Sequence, residues 1–453
     1  MKHIRLNAFA MNCAGHMSAG LWTHPRDTSS HYTDLDHWIE LAKLLERGKF
    51  DGLFLADVLG VYDVYRGTND AALRAATQVP VNDPSLLVPA MAAATRHLGF
   101  AVTCTLSYEP PYPFARRMST LDHLTKGRIG WNVVTGYLDS AAKGAGKDKQ
   151  TAHDARYDVA EEYMELVYRL WEGSWEDDAV IRDRATGTFV RPEKVHRVTF
   201  EGQHYKLDAI HLSEPSPQRT PLLYQAGASS KGRDFAARHA ECVFLSAPSK
   251  AVIGPRVADI RARAAKMGRD PSDVLIFMGA NVIVAETEAA ARAKLDEYRR
   301  YINIDGALAL LSGWTGIDFS QYNLDDPVTH VQSDAIRSAV EALTTADPGK
   351  VWTVRELALA SGIGGISPIF IGTPAQVADE MQAWVAETGV DRFNLSYAVM
   401  PESFVDVVDL LVPELQRRGA FKTDYAAGTY REKLFGPGRA RLPTTHPAAK
   451  VRR

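Results

Sequence analysis

Cysteine is scarce: Cys13, Cys104 and Cys242 are the only three in 453 residues. They are odd in number, far apart and without C-x-x-C spacing. That pattern disfavours a disulfide framework or a zinc site and fits a reducing cytoplasm. No run approaches the roughly eighteen consecutive apolar residues of a membrane span, and the opening MKHIRLNAFAM lacks the apolar core of a signal peptide. Basic charge is not in excess. A net charge of −3 argues against nucleic acid or an anionic membrane as partner, and Lys450, Arg452 and Arg453 read as a solvated tail. Several signatures are also missing. There is no G-x-G-x-x-G after the first strand-like segment, so a Rossmann dinucleotide site is unsupported. There is no carboxylate pair for glycoside chemistry, no H-x-H or acidic cluster at metal spacing, and no G-x-S-x-G at a strand end.

What remains is an ordinary globular mix, 45% hydrophobic and 24% charged, in a regular alternation. Strand-like runs cover 4–11, 51–57, 99–105, 129–134, 221–227, 242–248, 274–285 and 392–398. Helical periodicity falls between them, most strongly from Asp34 to Phe50 and from Asp154 to Trp171. The strands are mostly continuous apolar runs, as expected of parallel strands buried on both faces. Eight such βα steps predict a single (β/α)8 barrel, with a doubly wound open sheet as the alternative. The whole chain, 1–453, reads as one barrel domain with insertions at about 58–83, 174–220 and 304–370. The second of these holds an expected hairpin near 198–207. Insertions of this length are more often functional lids than accidents.

In such a barrel the site lies at the C-terminal ends of the strands. Those ends carry Asn12, Cys13 and His16; Asp57; Thr103 and Thr105; Asn132, Thr135 and Tyr137; Gln225, Gly227, Ala228 and Ser229; and Asn394 and Ser396. The set is mostly neutral donors and acceptors, which suits a large heteroaromatic cofactor that does the chemistry while the protein orients it. In QAGASSKGRDFA, Gly227 permits close backbone approach, and Ser229 opens a helix whose free N–H groups favour a phosphate. Ser229 is equally read as a plain N-cap. His153 and Tyr157, at the start of another helix, would reach the same phosphate. Within GRIGWNVVTG, Trp131 and Val133 suit the barrel wall, which leaves Asn132 to face the barrel mouth.

GRIGWNVVTGYLDSAA, HDARYDVAEEYMELVYRLWEGSWEDDAV, SPQRTPLLYQAGASSKGRDFAA and LNAFAMNCAGHMSAGLWTHP resemble the bacterial-luciferase-like flavin monooxygenases typified by nitrilotriacetate monooxygenase component A and dibenzothiophene-sulfone monooxygenase. Nearly the whole chain shares the resemblance. ADVLGVYDVYRG, QVPVND, RRMSTLDHLTKGR and TYREKLFG resemble the subgroup that holds the dimethyl-sulfide and long-chain alkane monooxygenases. GGISPIFIGTPAQVADE, VWTVRE and GWTGIDF lean toward the former. The resemblance implies a luciferase-like barrel that binds reduced FMN (FMNH2) supplied by a separate NAD(P)H:flavin reductase, uses O2, and forms a homodimer or homotetramer. Asp57, Thr103, Asn132, Tyr137, His153, Tyr157 and Ser229 match positions around the flavin. Cys13, His16, Tyr62 and Gln78 match positions tied to catalysis or substrate binding. Gly136-Tyr137 and Gly144-Ala145-Gly146 depart from the alkane-enzyme pattern and put substrate identity in question.

The implied activity is transfer of one oxygen atom to a small organic substrate, with a dialkyl sulfide such as dimethyl sulfide ahead of an alkane. A deazaflavin-dependent oxidoreductase, a non-catalytic flavin-binding protein and, more remotely, a metal-dependent hydrolase are the alternatives. His16 is the expected proton donor because a histidine titrates near neutral pH. Cys13 is expected to line the pocket. Tyr62 and Gln78, on the insertion after the second strand, are expected to close over the substrate, and Trp314 and Trp352 either cover the site or pack under a loop.

Overall fold

The computed structural model describes residues 4–227, 229–328 and 351–453. Eight parallel strands close into a ring in chain order: β1 (Leu6–Met11), β2 (Gly52–Ala56), β3 (Gly99–Thr105), β4 (Ile129–Val134), β5 (Leu222–Ala226), β6 (Cys242–Leu245), β7 (Leu275–Val284) and β8 (Arg392–Ser396). The ring closes where Leu6 pairs with Phe393 and Asn7 with Asn394. It is a closed (β/α)8 barrel, and the open-sheet alternative falls away.

The double-sided burial of these strands follows from their alternation. In β1, Leu6, Ala8 and Ala10 pack outward into the shell shared with the helices, whereas Phe9 points into the barrel. In β4 the outward Trp131 packs among Phe114, Tyr163 and Trp171. The interior holds Phe9, Phe54, Tyr224 and Phe277 in tilted and edge-to-face contacts. A short helix near the C-terminus, Tyr430–Phe435, is the floor. A Cβ at Gly52 or Gly99 would fall 2.1 or 2.5 Å from the Tyr430 ring or its hydroxyl, so both strands need glycine there. The Tyr430 hydroxyl meets that of Tyr224 at 2.7 Å. Next to it the buried Arg431 pairs with Glu241 at 2.7 and 3.1 Å.

Two helices frame the site described below, α1 (His153–Gly173) after β4 and α2 (Ser230–His239) after β5. After β2 the chain forms a 3₁₀ turn, Pro84–Leu86, and then a helix, Val88–Ala94; Pro89, which has no N–H to donate back into the preceding turn, keeps the two from running on as one helix. The hairpin expected near 198–207 is present as Val198–Glu201 paired with Lys206–Ala209, and a second hairpin, Val180–Asp183 with Thr188–Val190, precedes it. A short strand, Ile369–Gly372, extends the C-terminal half of β7 outside the ring. From the insertion after β2, helix Asp70–Ala75 packs on Ile304–Thr315, which packs on Val354–Ser361. Residues 329–350, inside the expected 304–370 insertion, lie outside the described residues.

Candidate active site

The C-terminal ends of β2 to β5 and the first turns of α1 and α2 enclose a cavity of about 340 Å³. Asp57, Thr105, Thr135, Tyr137, His153, Tyr157, Gln225, Gly227 and Ser229 line it, so nine of the residues singled out from sequence converge on one space. Thr103 and Asn132 are inward residues deeper in β3 and β4. Asn132 Nδ2 donates to Thr103 Oγ1 at 2.9 Å, while Asn132 Oδ1 is buried without a partner. Ala228 lies outside the described residues.

One end of the cavity gathers groups that favour an anion. The Ser229 hydroxyl caps α2 by accepting from the Gly232 N–H at 3.0 Å, and the Tyr157 hydroxyl bonds to Ser229. Gly232 is required there, since a Cβ would fall 2.7 Å from Tyr157 Oη. Gly227 likewise makes room for the Gln225 amide, whose Nε2 would be 2.4 Å from a Cβ. Gln225 Oε1 is buried and unpartnered. His153 stands at the half-exposed rim, bonded to Asp154 Oδ1 at 2.7 Å and edge-on to Tyr157. Arg156 adds a cation to the lining. The N-terminus of α2, the Ser229 and Tyr157 hydroxyls and the Arg156 guanidinium thus line one end of the cavity.

Asp57 sits at the opposite wall. Burial raises its carboxyl to about 7, the nearby Asp83 adds to the rise, and the Val58 N–H opposes it. A second cavity of about 200 Å³ lies beyond and shares Asp57, Leu59, Thr105 and Tyr108 with the first. Tyr108 had no sequence signal of its own. It is held by Gln150 Nε2, which donates to its hydroxyl at 2.6 Å.

The residues assigned to catalysis form a network that touches this cavity through Tyr137. The Tyr62 hydroxyl donates to Gln78 Oε1 at 2.8 Å and meets the Tyr137 hydroxyl at 2.7 Å. Trp314 hydrogen-bonds to the same two hydroxyls. Gln78 Nε2 donates to the His16 carbonyl at 2.9 Å. Tyr137 is 45% exposed because its ring faces the cleft, although its hydroxyl is enclosed. Trp314 therefore belongs to the site, whereas Trp352 packs at the edge of the insertion core. Cys13 is buried beside this network and pairs through its backbone with Val81.

His16 differs from its expected chemistry. Its imidazole packs edge-on to Phe9 at 4.5 Å and faces Tyr397, a residue with no separate sequence signal. Burial pulls its pKa down to about 3 against a hydrogen bond to the Phe9 backbone. It is neutral near pH 7, so it does not act as a titrating imidazolium. Burial, helped by the Asp57 charge, pushes the Cys13 thiol up, away from the nucleophilic thiolate. Among the described residues no group of His, Cys, Asp or Glu could hold a metal ion, and no helix is long and apolar enough to cross a membrane.

Comparison with known proteins gives one consistent result. Residues 17–392 match the luciferase-like monooxygenase family. The chain is 51% identical to the dimethyl-sulfide monooxygenase of Hyphomicrobium sulfonivorans over 451 residues, covering 100% of this chain and 94% of that protein. It is also 51% identical to the long-chain alkane monooxygenase of Geobacillus thermodenitrificans, covering 100% and 98%. The crystal structure of DmoA from Hyphomicrobium sulfonivorans superposes with a TM-score of 0.95 at 51% identity, over 100% of this chain and 96% of that one. A riboflavin lyase crystallised with modified FMN and riboflavin superposes at 0.90 with 34% identity, over all of both chains.

Proposed function

The chain belongs to the luciferase-like monooxygenase family, and we propose that within it the chain is the oxygenase of a two-component system. It takes reduced FMN from a separate NAD(P)H:flavin reductase and, with O2, transfers one oxygen atom to a small organic substrate, the other atom leaving as water. The reading treats the barrel and its insertions as one functional unit, a homodimer or homotetramer in the cytoplasm.

The observation that carries it is the mismatch of partners in the cavity and one residue deeper on β4. An anion cradle stands at one end, and the buried amide oxygens of Asn132 and Gln225 have no donors. A buried acceptor left unpaired costs about 1–3 kcal/mol, so these oxygens suit a ligand that brings N–H donors. FMN has a phosphate for the cradle and a ring with donors for the amides, and the residues present fit it. Ser229, Tyr157, His153, Arg156 and the Gly227 backbone would hold the phosphate. Gln225, Asn132, Thr103 and Asp57 would hold the polar edge of the ring, with Tyr137 as wall. When bound, reduced FMN supplies the two electrons that activate O2.

The chain's own residues position and shield. Burial holds the Tyr62 hydroxyl proton well above the ordinary phenol range. Its proton is directed at Gln78 or Tyr137 and is retained at neutral pH. Neutral His16 contributes a fixed dipole rather than a mobile charge. The packed helices Asp70–Ala75, Ile304–Thr315 and Val354–Ser361 keep water from the network.

The side chains that meet the Tyr62 hydroxyl, Gln78, Tyr137 and Trp314, are all uncharged, which favours an uncharged substrate. A dialkyl sulfide such as dimethyl sulfide comes first. A long-chain alkane is the second reading, because the identity to that relative is equal. The test combines the protein, a flavin reductase, NADH, FMN and 18O2 with dimethyl sulfide or hexadecane in parallel. Substrate-dependent product carrying one labelled atom is expected from the sulfide. Reduced-flavin oxidation unchanged by the protein, with no labelled product from either compound, would refute the reading.

A further inference from the structure

The opposite, N-terminal face of the barrel holds a cavity that the oxygenase reading does not use. It measures about 140 Å³ and lies between the starts of β1 and β2 and the segment that leads into the floor helix. Its inner wall carries Arg5, Lys422 and Lys433 around a single buried carboxylate, Asp51. We propose that this cavity binds a tetrahedral oxyanion of the phosphate or sulfate class, held by Arg5, Lys422 and Lys433.

The charges on this face do not balance. Asp51 Oδ1 lies 2.8 Å from Lys422 Nζ and 3.6 Å from Arg5 Nη1, so two cations share one acid. Asp51 Oδ2 is taken by the Leu6 N–H at 3.0 Å. Lys433 is 8% exposed and makes no ion pair among the described residues; its ammonium donates to the His97 carbonyl at 2.8 Å. Behind the wall, the buried Arg128 donates to the carbonyls of Ala92, Thr95, Leu98 and Thr125 and makes no ion pair with a carboxylate among the described residues, with Glu46 the nearest acid to act on it. Arg392, 3% exposed, donates to the Leu434 carbonyl, while its Nε and Nη1 are buried and unpaired.

The nearby acids are already engaged. Glu46 accepts the backbone N–H groups of Arg96, His97 and Leu98, and Asp424 is 79% exposed at the rim beside Lys49. Tyr425 supplies partial relief, with Lys49, Lys422 and Lys433 each within 5.7 Å of its ring. Repulsion is visible in Lys433 itself, whose ammonium is pulled down to about 8 by burial and then by Arg128. Buried charge without a counter-charge is costly. An oxyanion at the three side chains would offset it and would tie the C-terminal segment to β1 and β2.

The full-length protein is titrated with sodium phosphate by calorimetry, and its melting is followed against sodium chloride at matched ionic strength. One saturable site is expected, with a melting temperature that rises with the logarithm of phosphate concentration. The cradle at Ser229 is a competing phosphate site, so the titration is repeated on Ser229→Ala and on Lys433→Met. Binding retained in Ser229→Ala and weakened at least about tenfold in Lys433→Met supports the proposal. Should Lys433→Met fail to fold, Arg5→Gln serves as the same arm. No saturable binding beyond chloride overturns it, as does binding lost in Ser229→Ala but retained in Lys433→Met.

Discussion

Tyr62→Phe isolates the network at the cavity wall. The ring is 1% exposed and its hydroxyl meets Gln78 Oε1 at 2.8 Å, Tyr137 Oη at 2.7 Å and Trp314, which keeps its bond to Tyr137 when the hydroxyl is removed. Phe fills the same space, so the loss is polar. One buried acceptor is stranded, at about 1–3 kcal/mol, and one further hydrogen bond is lost, at about 1 kcal/mol, giving about 2–4 kcal/mol in all. Gln78 sharpens the case. Its φ of 54° lies in the left-handed region, and its amide bonds to Tyr62 and to the His16 carbonyl hold it there. If the stranded oxygen is the main cost, Gln78→Leu in the Tyr62→Phe background removes it. The double variant should then be more stable than the sum of the singles by about 1–2 kcal/mol. Urea unfolding followed by tryptophan fluorescence measures all four proteins. Costs that add within about 0.5 kcal/mol would mean the two side chains are uncoupled, and the network would lose its place in the site.

Gly313→Ala should act on the same tyrosine from behind, because its Cβ would fall 2.0 Å from Tyr62 Cδ1. A loss of about 1–3 kcal/mol, together with a rise in KM larger than the fall in kcat, is expected from steady-state assays. Asp57 holds its proton up to about pH 7 rather than the usual 3.8, so the fold binds that proton more tightly than the unfolded chain does. Its contribution to stability is therefore fully present below the unfolded value and is lost as pH rises through 7. Compared with Asp57→Asn, the wild type should lose on the order of 4 kcal/mol between about pH 4 and pH 7 and nothing more above it; a constant difference between pH 4 and 8 would contradict this. For His16, imidazole 15N shifts should stay those of a neutral ring down to about pH 4, since burial takes its pKa from 6.5 to about 3. A titration near 6.5 would show the ring to be solvated.

Most of the barrel was legible because parallel strands covered on both faces leave long apolar runs, and all eight runs lie where the strands are. Ile369–Gly372 left no such trace. It is short, half of it faces outward, and it depends on pairing with the extended end of β7. The site was legible to the extent that strand ends mark it: Asp57, Tyr137, Gly227 and Ser229 each follow a strand, while Asn132 was marked by its amide inside an apolar run. What periodicity cannot supply is the joining of distant loops. Nothing local links Tyr62, Gln78, Tyr137 and Trp314, and their meeting at the Tyr62 hydroxyl depends on how the insertions fold over the mouth. The neutrality of His16 was hidden for the same reason, since it comes from Phe9 and Tyr397 enclosing the ring.

The floor helix carries a consequence for how the chain comes to be built. Tyr430 fills the space left by Gly52 and Gly99, and Arg431 neutralises the buried Glu241. During synthesis every barrel strand leaves the ribosome before either residue does. For that interval the ring has a hollow base and an uncompensated acid, and the last piece to arrive is the one that seals both. The nascent barrel is therefore an unfinished vessel until about residue 435 has emerged, and its interior stays accessible to water or to a chaperone from below, at the end opposite the active site.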